Sequence, residues 1–257
     1  MQSQLDFKTK VVIITGGGKG VGRGISERFL QCGATVIICG RSEPESLPNA
    51  NDNSAIFFPL DVRDAEAIQG FVDTIVNRYG RIDVLVNNAG GAPAADAATV
   101  SPRFSEAIIR LNLLAPLNFS QSCNKVMQTQ STGGAIINIA SVSAVRPSPG
   151  TAAYGAAKAG LLNLSSSLAI EWAPKVRTNA IIAGIIRTEQ AHLHYGDEAG
   201  IDAVANTIPL GRMAVPTDIG DACLFLASDL AAYISGSTLT VHGGGEKPAF
   251  LAAANAD

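Results

Sequence analysis

The sequence predicts an α/β protein built on a doubly wound parallel sheet, and three observations support this fold class. Short apolar runs alternate with helix-period segments along the whole 257-residue chain. The runs are rich in Val and Ile without polar alternation, as expected for parallel strands that are covered on both faces. A glycine-rich segment at 15–22 separates the first apolar run from the first helical segment, where such folds bend sharply from strand to helix.

The individual elements follow from this alternation. Seven apolar runs are predicted to be buried strands, at 10–15, 35–39, 55–59, 82–87, 135–140, 176–182 and 238–241. Five segments carry helical spacing and helix formers, at 21–32, 65–79, about 102–127, 152–172 and 217–227. The stretches 41–54 and 187–209 are polar and irregular, and the tail 246–257 leaves the pattern. Because no linker or internal repeat divides the chain, we expect one domain over residues 1–257.

Composition and charge exclude several classes of protein. A hydrophobic fraction of 47% with 16% charged residues favours a packed core over a disordered chain. The formal net charge is −3 and no long run of Lys or Arg occurs, so neither nucleic acid nor a membrane surface is an expected partner. No apolar stretch approaches the ~20 residues of a membrane span. The polar start lacks the pattern of a signal peptide.

Cysteine and histidine placement bears on compartment and metal binding. The four cysteines are scattered without a C-x-x-C pair, and Cys39 and Cys223 lie in apolar or helical segments. Buried free thiols in a reducing, cytoplasmic compartment are therefore expected. The three histidines, His192, His194 and His242, have no partners at ligand spacing, so no metal site is predicted.

The glycine-rich segment reads T-G-G-G-K-G-V-G and leads from the first strand into the first helix. Glycines permit a tight turn and a close approach of the backbone to a pyrophosphate, whose charge meets the N–H groups of the helix start. A glycine-rich turn alone is a weak signal, but pyrophosphate binding requires the turn to lie between a strand and a helix, as it does here. The candidate cofactor-binding residues here are Gly16, Gly18, Lys19, Gly20, Val21 and Gly22.

A tyrosine and a lysine form the candidate catalytic pair. Tyr154 and Lys158 are four residues apart on a predicted helix, so their side chains share one face. A phenol with a pKa near ~10 is a poor acid or base at neutral pH, and a nearby ammonium is expected to lower that pKa. An amphipathic helix could carry the same pair without any catalytic role. Ser141 favours the catalytic interpretation, because it ends the fifth strand at the sheet edge where ligands bind; Ser143 is expected only to line the pocket.

These motifs, taken together, resemble the short-chain dehydrogenase/reductase (SDR) superfamily, and within it the 3-oxoacyl-carrier-protein-reductase-like branch. They are T-G-x-x-x-G-x-G at 15–22, N-N-A-G at 87–90, Ser141, and Y-G-A-A-K at 154–158. The resemblance covers about residues 6–245 in one order and spacing. It implies a three-layer, doubly wound Rossmann fold with a seven-stranded parallel sheet.

The resemblance also implies roles for single residues. Asn112 would hold a water next to Lys158 in a proton relay and complete a tetrad with Ser141 and Tyr154. Tyr154 would donate a proton to the substrate oxygen, and Lys158 would also bind the nicotinamide ribose. The cofactor would further contact residues at the ends of several strands, namely Asp61, Val62, Asn88, Ala89, Gly90, Ile186 and Thr188. For Asp61, capping of the following helix is an alternative that can coexist with an adenine contact.

One departure from the family pattern lies after the sixth predicted strand. Ala183-Gly184 stands where the family has Pro-Gly, and loss of the proline frees φ and restores an N–H donor. We therefore expect a looser strand end and a looser substrate lid at about 187–209. His192, His194 and Tyr195 on this lid are expected to be solvated loop residues.

The end of the second strand bears on the choice of cofactor. An NAD-binding fold has an acidic residue there, whereas this chain has Gly40 followed by Arg41. Arg41 and Lys19 would recognise a 2′-phosphate that a carboxylate would repel, so NADP(H) is favoured over NAD(H). The alternative is that both cations are solvated and without consequence.

The sequence thus favours an NADP(H)-dependent oxidoreductase that reduces a ketone or 3-oxoacyl substrate to a secondary alcohol. An NAD-dependent alcohol or hydroxysteroid dehydrogenase is one alternative. A catalytically silent dinucleotide-binding sensor or scaffold is another, although a complete tetrad argues against it. Small residues on the helix at 152–160 and an apolar last strand suggest a symmetric homo-oligomer, a tetramer by resemblance.

Overall fold

The computed structural model describes residues 5–253. Its strands are β1 (Val11–Thr15), β2 (Thr35–Gly40), β3 (Asn49–Ala50), β4 (Asn53–Ser54), β5 (Ile56–Pro59), β6 (Val84–Asn87), β7 (Gly134–Ser141), β8 (Val176–Ala183) and β9 (Thr238–Val241). Its helices are α1 (Gly20–Gln31), α2 (Ala65–Tyr79), α3 (Pro102–Ile109), α4 (Ala115–Thr129), α5 (Ala152–Glu171), α6 (His192–Tyr195), α7 (Glu198–Thr207), α8 (Pro216–Ala227) and α9 (Ala249–Ala253). Within this part of the chain, no helix is long and apolar enough to cross a membrane.

Seven of the strands form one parallel sheet, which confirms the predicted fold class. Their order is β5-β2-β1-β6-β7-β8-β9, and every neighbouring pair is parallel. The chain builds outward from β1 to β5 and then returns to place β6 on the other side of β1. This reversal creates a crevice at the carboxyl ends of β1 and β6, where doubly wound folds bind their ligands.

Two apolar cores cover the two faces of the sheet. Ile13 and Ile14 are consecutive in β1, yet both side chains are fully buried because they point into opposite cores. Phe29 of α1 packs in the first core, which α8 also covers, and Phe119 of α4 packs in the second, which α2 also covers. Burial on both faces is the physical reason for strands without polar alternation.

The segment predicted as one helix over 102–127 is interrupted. α3 and α4 are joined by a π turn at Arg110–Leu114, where the backbone hydrogen bonds span five residues instead of four. Pro116 stands in the first turn of α4 and has no N–H for the hydrogen-bond ladder that a continuous helix would need. The predicted helical segment is therefore confirmed, with a π turn in its middle that the spacing did not indicate.

Both stretches predicted to be irregular contain regular structure. Within 41–54, β3 and β4 form a hairpin whose turn residues Asn51 and Asp52 have φ of 50° and 63°, which these residue types tolerate. Within 187–209 lie α6 and α7. The Asp197 side chain caps α7 by accepting from the Gly200 N–H at 3.0 Å, and Ile201 of α7 is buried in a small lid cluster.

The chain after β9 is ordered further than its sequence pattern indicates. Glu246 forms an ion pair with Arg146 at 2.6 Å, and α9 follows it. The predicted tail at 246–257 extends beyond this helix, and its positions 254–257 lie outside the described residues.

A buried polar network joins the central strands to two helices below the crevice. The Asn87 amide of β6 donates to Asn138 Oδ1 at 2.8 Å and to Ser120 Oγ of α4 at 2.9 Å. The Asn138 amide of β7 donates to Ser165 Oγ of α5 at 2.8 Å. All four side chains are buried, so each polar atom left without its partner would carry a desolvation cost.

Asn138→Ala is expected to lower the free energy of unfolding by about 2–3 kcal/mol, because it removes one hydrogen-bond partner from the buried Asn87 amide and one from the buried Ser165 hydroxyl. Urea unfolding followed by circular dichroism measures this difference. Asn163→Ala, at an exposed position of α5, is the matched control and should change stability by less than ~0.5 kcal/mol. Equal effects of the two substitutions would contradict the network.

Candidate active site

A crevice of about 680 Å³ opens at the carboxyl ends of the central strands. It brings together most of the sequence-predicted site residues, which are Gly16, Lys19, Val21, Gly22, Arg41, Asp61, Val62, Asn88, Ala89, Gly90, Ser141, Tyr154, Lys158 and Ile186. Four others do not line it: Gly18, Gly20, Asn112 and Thr188. Gly18 lies against Pro44, and Gly20 lies against Thr188 at the start of the lid.

The glycine loop presents bare backbone to the crevice. Gly16 and Gly20 have φ of 65° and 49°, in the left-handed region that side chains disfavour. A Cβ on Gly22 would collide with the Gly16 carbonyl oxygen and the Asn88 amide. A backbone so exposed at the start of a 12-residue helix has the shape and polarity to hold a pyrophosphate, so these residues fit a dinucleotide.

Thr15 links this loop to the neighbouring strand. Its Oγ1 accepts from the backbone N–H groups of Asn88 and Ala89 at 3.0 and 2.9 Å. The Asn88 amide donates in return to the Thr15 carbonyl oxygen at 2.9 Å. Sequence reasoning did not single out Thr15; the available signal is a polar residue at the end of an otherwise apolar strand.

Charged residues cluster at the end of the crevice beyond β2. Arg41 and Lys19 are both exposed there, beside Gly40. The Asp61 carboxylate accepts from Arg63 Nε at 2.9 Å and pairs with Arg63 Nη2 at 2.5 Å. This guanidinium is the main reason why the pKa of Asp61 falls to about 2, and the charge of Arg41 acts in the same direction.

The structure corrects one role considered for Asp61 and identifies a further residue at the crevice. Helix α2 is capped by Asp64, whose Oδ1 accepts from the N–H groups of Glu66 and Ala67, so the capping role considered for Asp61 is wrong. Arg63 lines the crevice and was missed. A cation two positions after the aspartate is the sequence signal that could have identified it.

Tyr154, Ser141 and Lys158 meet at the other end of the crevice. The Ser141 hydroxyl hydrogen-bonds the Tyr154 phenol, and the Lys158 ammonium lies 5.7 Å from the centre of the tyrosine ring. Lys158 Nζ donates to the Ile139 carbonyl oxygen at 2.7 Å. The side chains of Tyr154 and Lys158 thus face the same space, as their spacing in the helix predicts.

Burial sets the protonation of this pair. It raises the pKa of Tyr154, which the hydrogen bond from Ser141 only partly offsets, and it lowers the pKa of Lys158 to about 8. The pKa of Tyr154 therefore lies above its ordinary value and not below it as expected, because desolvation of the phenol outweighs the influences that favour the phenolate. The ammonium is directed at the Ile139 carbonyl, and desolvation of the phenol dominates.

Asn112 lies in the π turn and is fully buried. Its Oδ1 accepts from the Gly91 N–H at 2.9 Å, and its Nδ2 donates to the Gly91 and Ile108 carbonyl oxygens at 3.0 and 2.9 Å. A Cβ on Gly90 would lie 2.6 Å from Asn112 Oδ1 and 3.2 Å from Lys158 Nζ. Asn112 therefore fixes the backbone that adjoins the Lys158 ammonium, and the π turn turns its amide toward that backbone.

The end of β8, where the family's proline is missing, is paired on both sides in the sheet. Ala183 is buried and pairs in register with Ser141 on one side and Val241 on the other. The N–H of Gly184 donates to the Val241 carbonyl oxygen at 2.9 Å. The sheet ladder and the next strand hold this backbone, and the expectation of a looser strand end and lid stays a prediction.

A smaller cavity of about 220 Å³ adjoins the end of the crevice that holds Ser141. Its walls are mostly apolar and come from the turn after β7, the end of β8, the end of α7 and the turn after β9: Val142, Val145, Arg146, Gly184, Ile185, Ile208, His242, Gly245 and Glu246. Ser143 points away from it toward Ser148, at 3.1 Å between hydroxyls. Over residues 5–253, no group of three or more His, Cys, Asp or Glu side chains could hold a metal ion.

Comparison with known proteins agrees with this geometry. A family model described as Enoyl-(Acyl carrier protein) reductase matches residues 16–246. A 3alpha-hydroxysteroid dehydrogenase of Mediterraneibacter gnavus is 34% identical over 92% of this chain and 97% of its own length. A 3-oxoacyl-[acyl-carrier-protein] reductase of Thermotoga maritima is 35% identical over 91% of this chain and 97% of its own.

Among solved structures, the ligand-free aldohexose dehydrogenase of Thermoplasma acidophilum superposes with a TM-score of 0.86. It is 32% identical and covers 94% of this chain and 95% of its own. The shared sheet, the glycine loop and nearly full-length similarity lead to one assignment. The chain belongs to the short-chain dehydrogenase/reductase superfamily, near its 3-oxoacyl-carrier-protein reductases, and is an oxidoreductase of CH–OH and C=O groups that uses a nicotinamide dinucleotide.

Proposed function

We propose that this protein is an NADP(H)-dependent reductase that converts a ketone or 3-oxoacyl substrate to the secondary alcohol. One observation carries the proposal. A single crevice has Ser141, Tyr154 and Lys158 at one end and Arg41 and Lys19 at the other, with bare glycine backbone between them. The proposal treats residues 1–257 as one Rossmann-type domain with its substrate lid at about 187–209.

In the proposed reaction, the bound nicotinamide supplies or accepts the hydride. Ser141 donates a hydrogen bond to the substrate oxygen, and Tyr154 donates the proton that completes the alcohol. The raised pKa of Tyr154 keeps the phenol protonated at neutral pH, as reduction requires. Lys158, with a pKa of about 8, then carries a positive charge that stabilises the phenolate left behind.

Asn112 acts through the backbone in this scheme. By holding both backbone polar groups of Gly91, it fixes the position of Gly90 beside Lys158 Nζ. We assign the remaining contacts to the dinucleotide: the glycine loop to the pyrophosphate, Asp61 and Val62 to the adenine, Asn88, Ala89 and Gly90 to the adjoining ribose, and Ile186 and Thr188 to the nicotinamide carboxamide.

The preference for NADP(H) follows from charge. No carboxylate follows β2 at Gly40, and the nearby Asp61 carboxylate is already neutralised by Arg63. The exposed Arg41 and Lys19 therefore face a 2′-phosphate without a competing anion at the end of the strand.

A second candidate is an NAD-linked hydroxysteroid dehydrogenase, which the Mediterraneibacter gnavus relative favours by its name. The apolar walls of the smaller cavity suit a steroid as well as an acyl chain. Reduction of an acetoacetyl thioester with NADPH, compared with oxidation of a 3α-hydroxysteroid with NAD⁺, separates the two candidates.

We further propose a cytoplasmic homotetramer. Apolar side chains are exposed on the outer helices and beside the edge strand β9, among them Leu114, Ile170, Leu230 and Tyr233. Pairing of copies across these faces would cover them and the open edge. The four free thiols support a reducing compartment.

Tyr154→Phe is expected to lower kcat for carbonyl reduction by about 10²–10⁴-fold, because the phenyl ring keeps the packing but has no proton to donate. Steady-state kinetics with NADPH measures this loss, and circular dichroism checks the fold. Tyr233→Phe, at a tyrosine outside the crevice, keeps the aromatic ring at that position, so it is the control and should retain the rate. Near-normal turnover by a folded Tyr154→Phe protein would remove Tyr154 from the mechanism.

The rate of reduction at saturating NADPH is expected to fall as the pH rises through about 8. Burial lowers the pKa of Lys158, so its charge is present below that pH and lost above it. Lys158→Met has a similar volume without charge and should show a low rate with no fall in this pH window. Lys175→Met, at an exposed lysine, should keep the wild-type profile. An unchanged profile in Lys158→Met would assign the fall to another group.

Arg41→Ala is expected to weaken NADP⁺ binding by about 10-fold, since a charge-assisted hydrogen bond to the 2′-phosphate is lost. Binding of NAD⁺ should change by less than ~2-fold, because NAD⁺ lacks that phosphate. Isothermal titration calorimetry with both dinucleotides measures the difference, and Arg103→Ala, at an exposed arginine of α3, serves as control. Equal loss for both dinucleotides would place Arg41 outside the 2′-phosphate site.

A further inference from the structure

The start of the lid contacts the start of the first helix. The backbone N–H of Gly20, the first residue of α1, donates to Glu189 Oε1 at 2.9 Å. Glu189 directly follows Thr188, whose Cγ2 would lie 3.6 Å from a Cβ on Gly20. A carboxylate from the lid therefore rests on the glycine loop, although 169 positions separate the two residues in the chain.

This carboxylate supplies something that α1 lacks. The residue preceding the helix, Lys19, makes no side-chain capping hydrogen bond, and the first turn of α1 contains no acidic residue. The first N–H groups of a helix have no partner within the helix and carry its positive end, so they attract an anion. Glu189 provides that anion from the lid.

These N–H groups adjoin the proposed dinucleotide site, with Gly20 next in the chain to its lining residues Val21 and Gly22 and not itself among them. The crevice that adjoins them is lined by Gly16, Val21 and Gly22, and the superfamily to which the chain belongs uses a nicotinamide dinucleotide. The pyrophosphate of that cofactor is negatively charged and suits the start of this helix. Two anions cannot share these donors without strong repulsion.

We propose that Glu189 competes with the pyrophosphate of the dinucleotide for the N–H groups at the start of α1. In the protein without cofactor, the carboxylate takes the place of a phosphate and draws the lid onto the glycine loop. Cofactor binding releases this contact. Glu189 is thus a determinant of cofactor affinity, and this role rests on the dinucleotide site and not on the proton chemistry of Tyr154.

Release of Glu189 from Gly20 does not require the packed part of the lid to move. Glu189 itself is exposed, whereas Ala191, two residues further, is buried with Ile201, Ile208 and Met213 in the lid cluster. The Glu189 side chain can therefore leave Gly20 without dismantling the packed part of the lid. For the same reason, substitution of Glu189 is expected to leave the fold intact.

The test is the affinity of the Glu189→Gln protein for dinucleotides, measured by isothermal titration calorimetry without substrate. NADP⁺ and NAD⁺ should both bind about 3- to 10-fold more tightly than to the wild-type protein, because the competing charge is gone. Adenosine 2′-monophosphate has no phosphate that reaches the start of α1, so its affinity should stay the same. Asp202→Asn removes one negative charge from an exposed position of the lid helix α7 and should change none of the three affinities.

Each other outcome overturns the proposal. Unchanged or weaker dinucleotide binding by Glu189→Gln would mean that Glu189 is neutral or holds the cofactor. Equal tightening by Asp202→Asn, or equal tightening for adenosine 2′-monophosphate, would mean that net charge alone acts. Hydrogen exchange provides a second readout: the Gly20 amide should exchange faster in cofactor-free Glu189→Ala than in the wild-type protein, and an unchanged rate would contradict the contact. Because no turnover is measured, failure of the proposed reaction leaves these results interpretable.

Discussion

The hydrogen bonds between Thr15 and the backbone after β6 are the constraint on which the rest of the site depends. Thr15 Oγ1 accepts from the N–H groups of Asn88 and Ala89, and the Asn88 amide donates back to Thr15. These contacts hold the ends of β1 and β6 together at the point where the strand order reverses. The glycine loop and the backbone at 88–90 therefore lie on opposite sides of one crevice.

Burial is the second constraint, because it shifts the pKa values of Lys158 and Tyr154. The same two-sided packing that makes the strands apolar places Lys158 in a nearly water-free position, where it is 3% exposed and its pKa falls to about 8. Tyr154, in turn, is kept protonated by desolvation. A protonated phenol beside a cation that is still charged at neutral pH is the state from which a carbonyl would be reduced. The acid–base character of the site therefore depends on how tightly α5 packs on β7 and β8.

The crevice and the smaller cavity beside it differ in how much they reveal about function. The crevice is made of backbone and a few charges, and proteins similar to this chain over nearly their whole length have names that refer to a hydroxysteroid, a 3-oxoacyl group and an aldohexose. The smaller cavity, the proposed substrate site, is formed by the turn after β7, the end of β8, the lid and the turn after β9, and its walls are mostly apolar. The polar side chains among these lining residues are His242 and the Arg146–Glu246 ion pair. Shared chemistry with divergent substrates follows from this division, because the loops can change without altering the sheet.

The sequence by itself determined the parallel sheet, the position of the glycine loop and the shared face of Tyr154 and Lys158, because each depends on residues close together in the chain. Periodicity, glycine content and a four-residue spacing are local properties, and local properties can be read from sequence. The tertiary structure alone decided the π turn that turns Asn112 toward Gly91 and the Glu189–Gly20 contact. It also decided the direction of the Tyr154 pKa, since desolvation depends on every atom packed around the phenol and no short stretch of sequence specifies that packing.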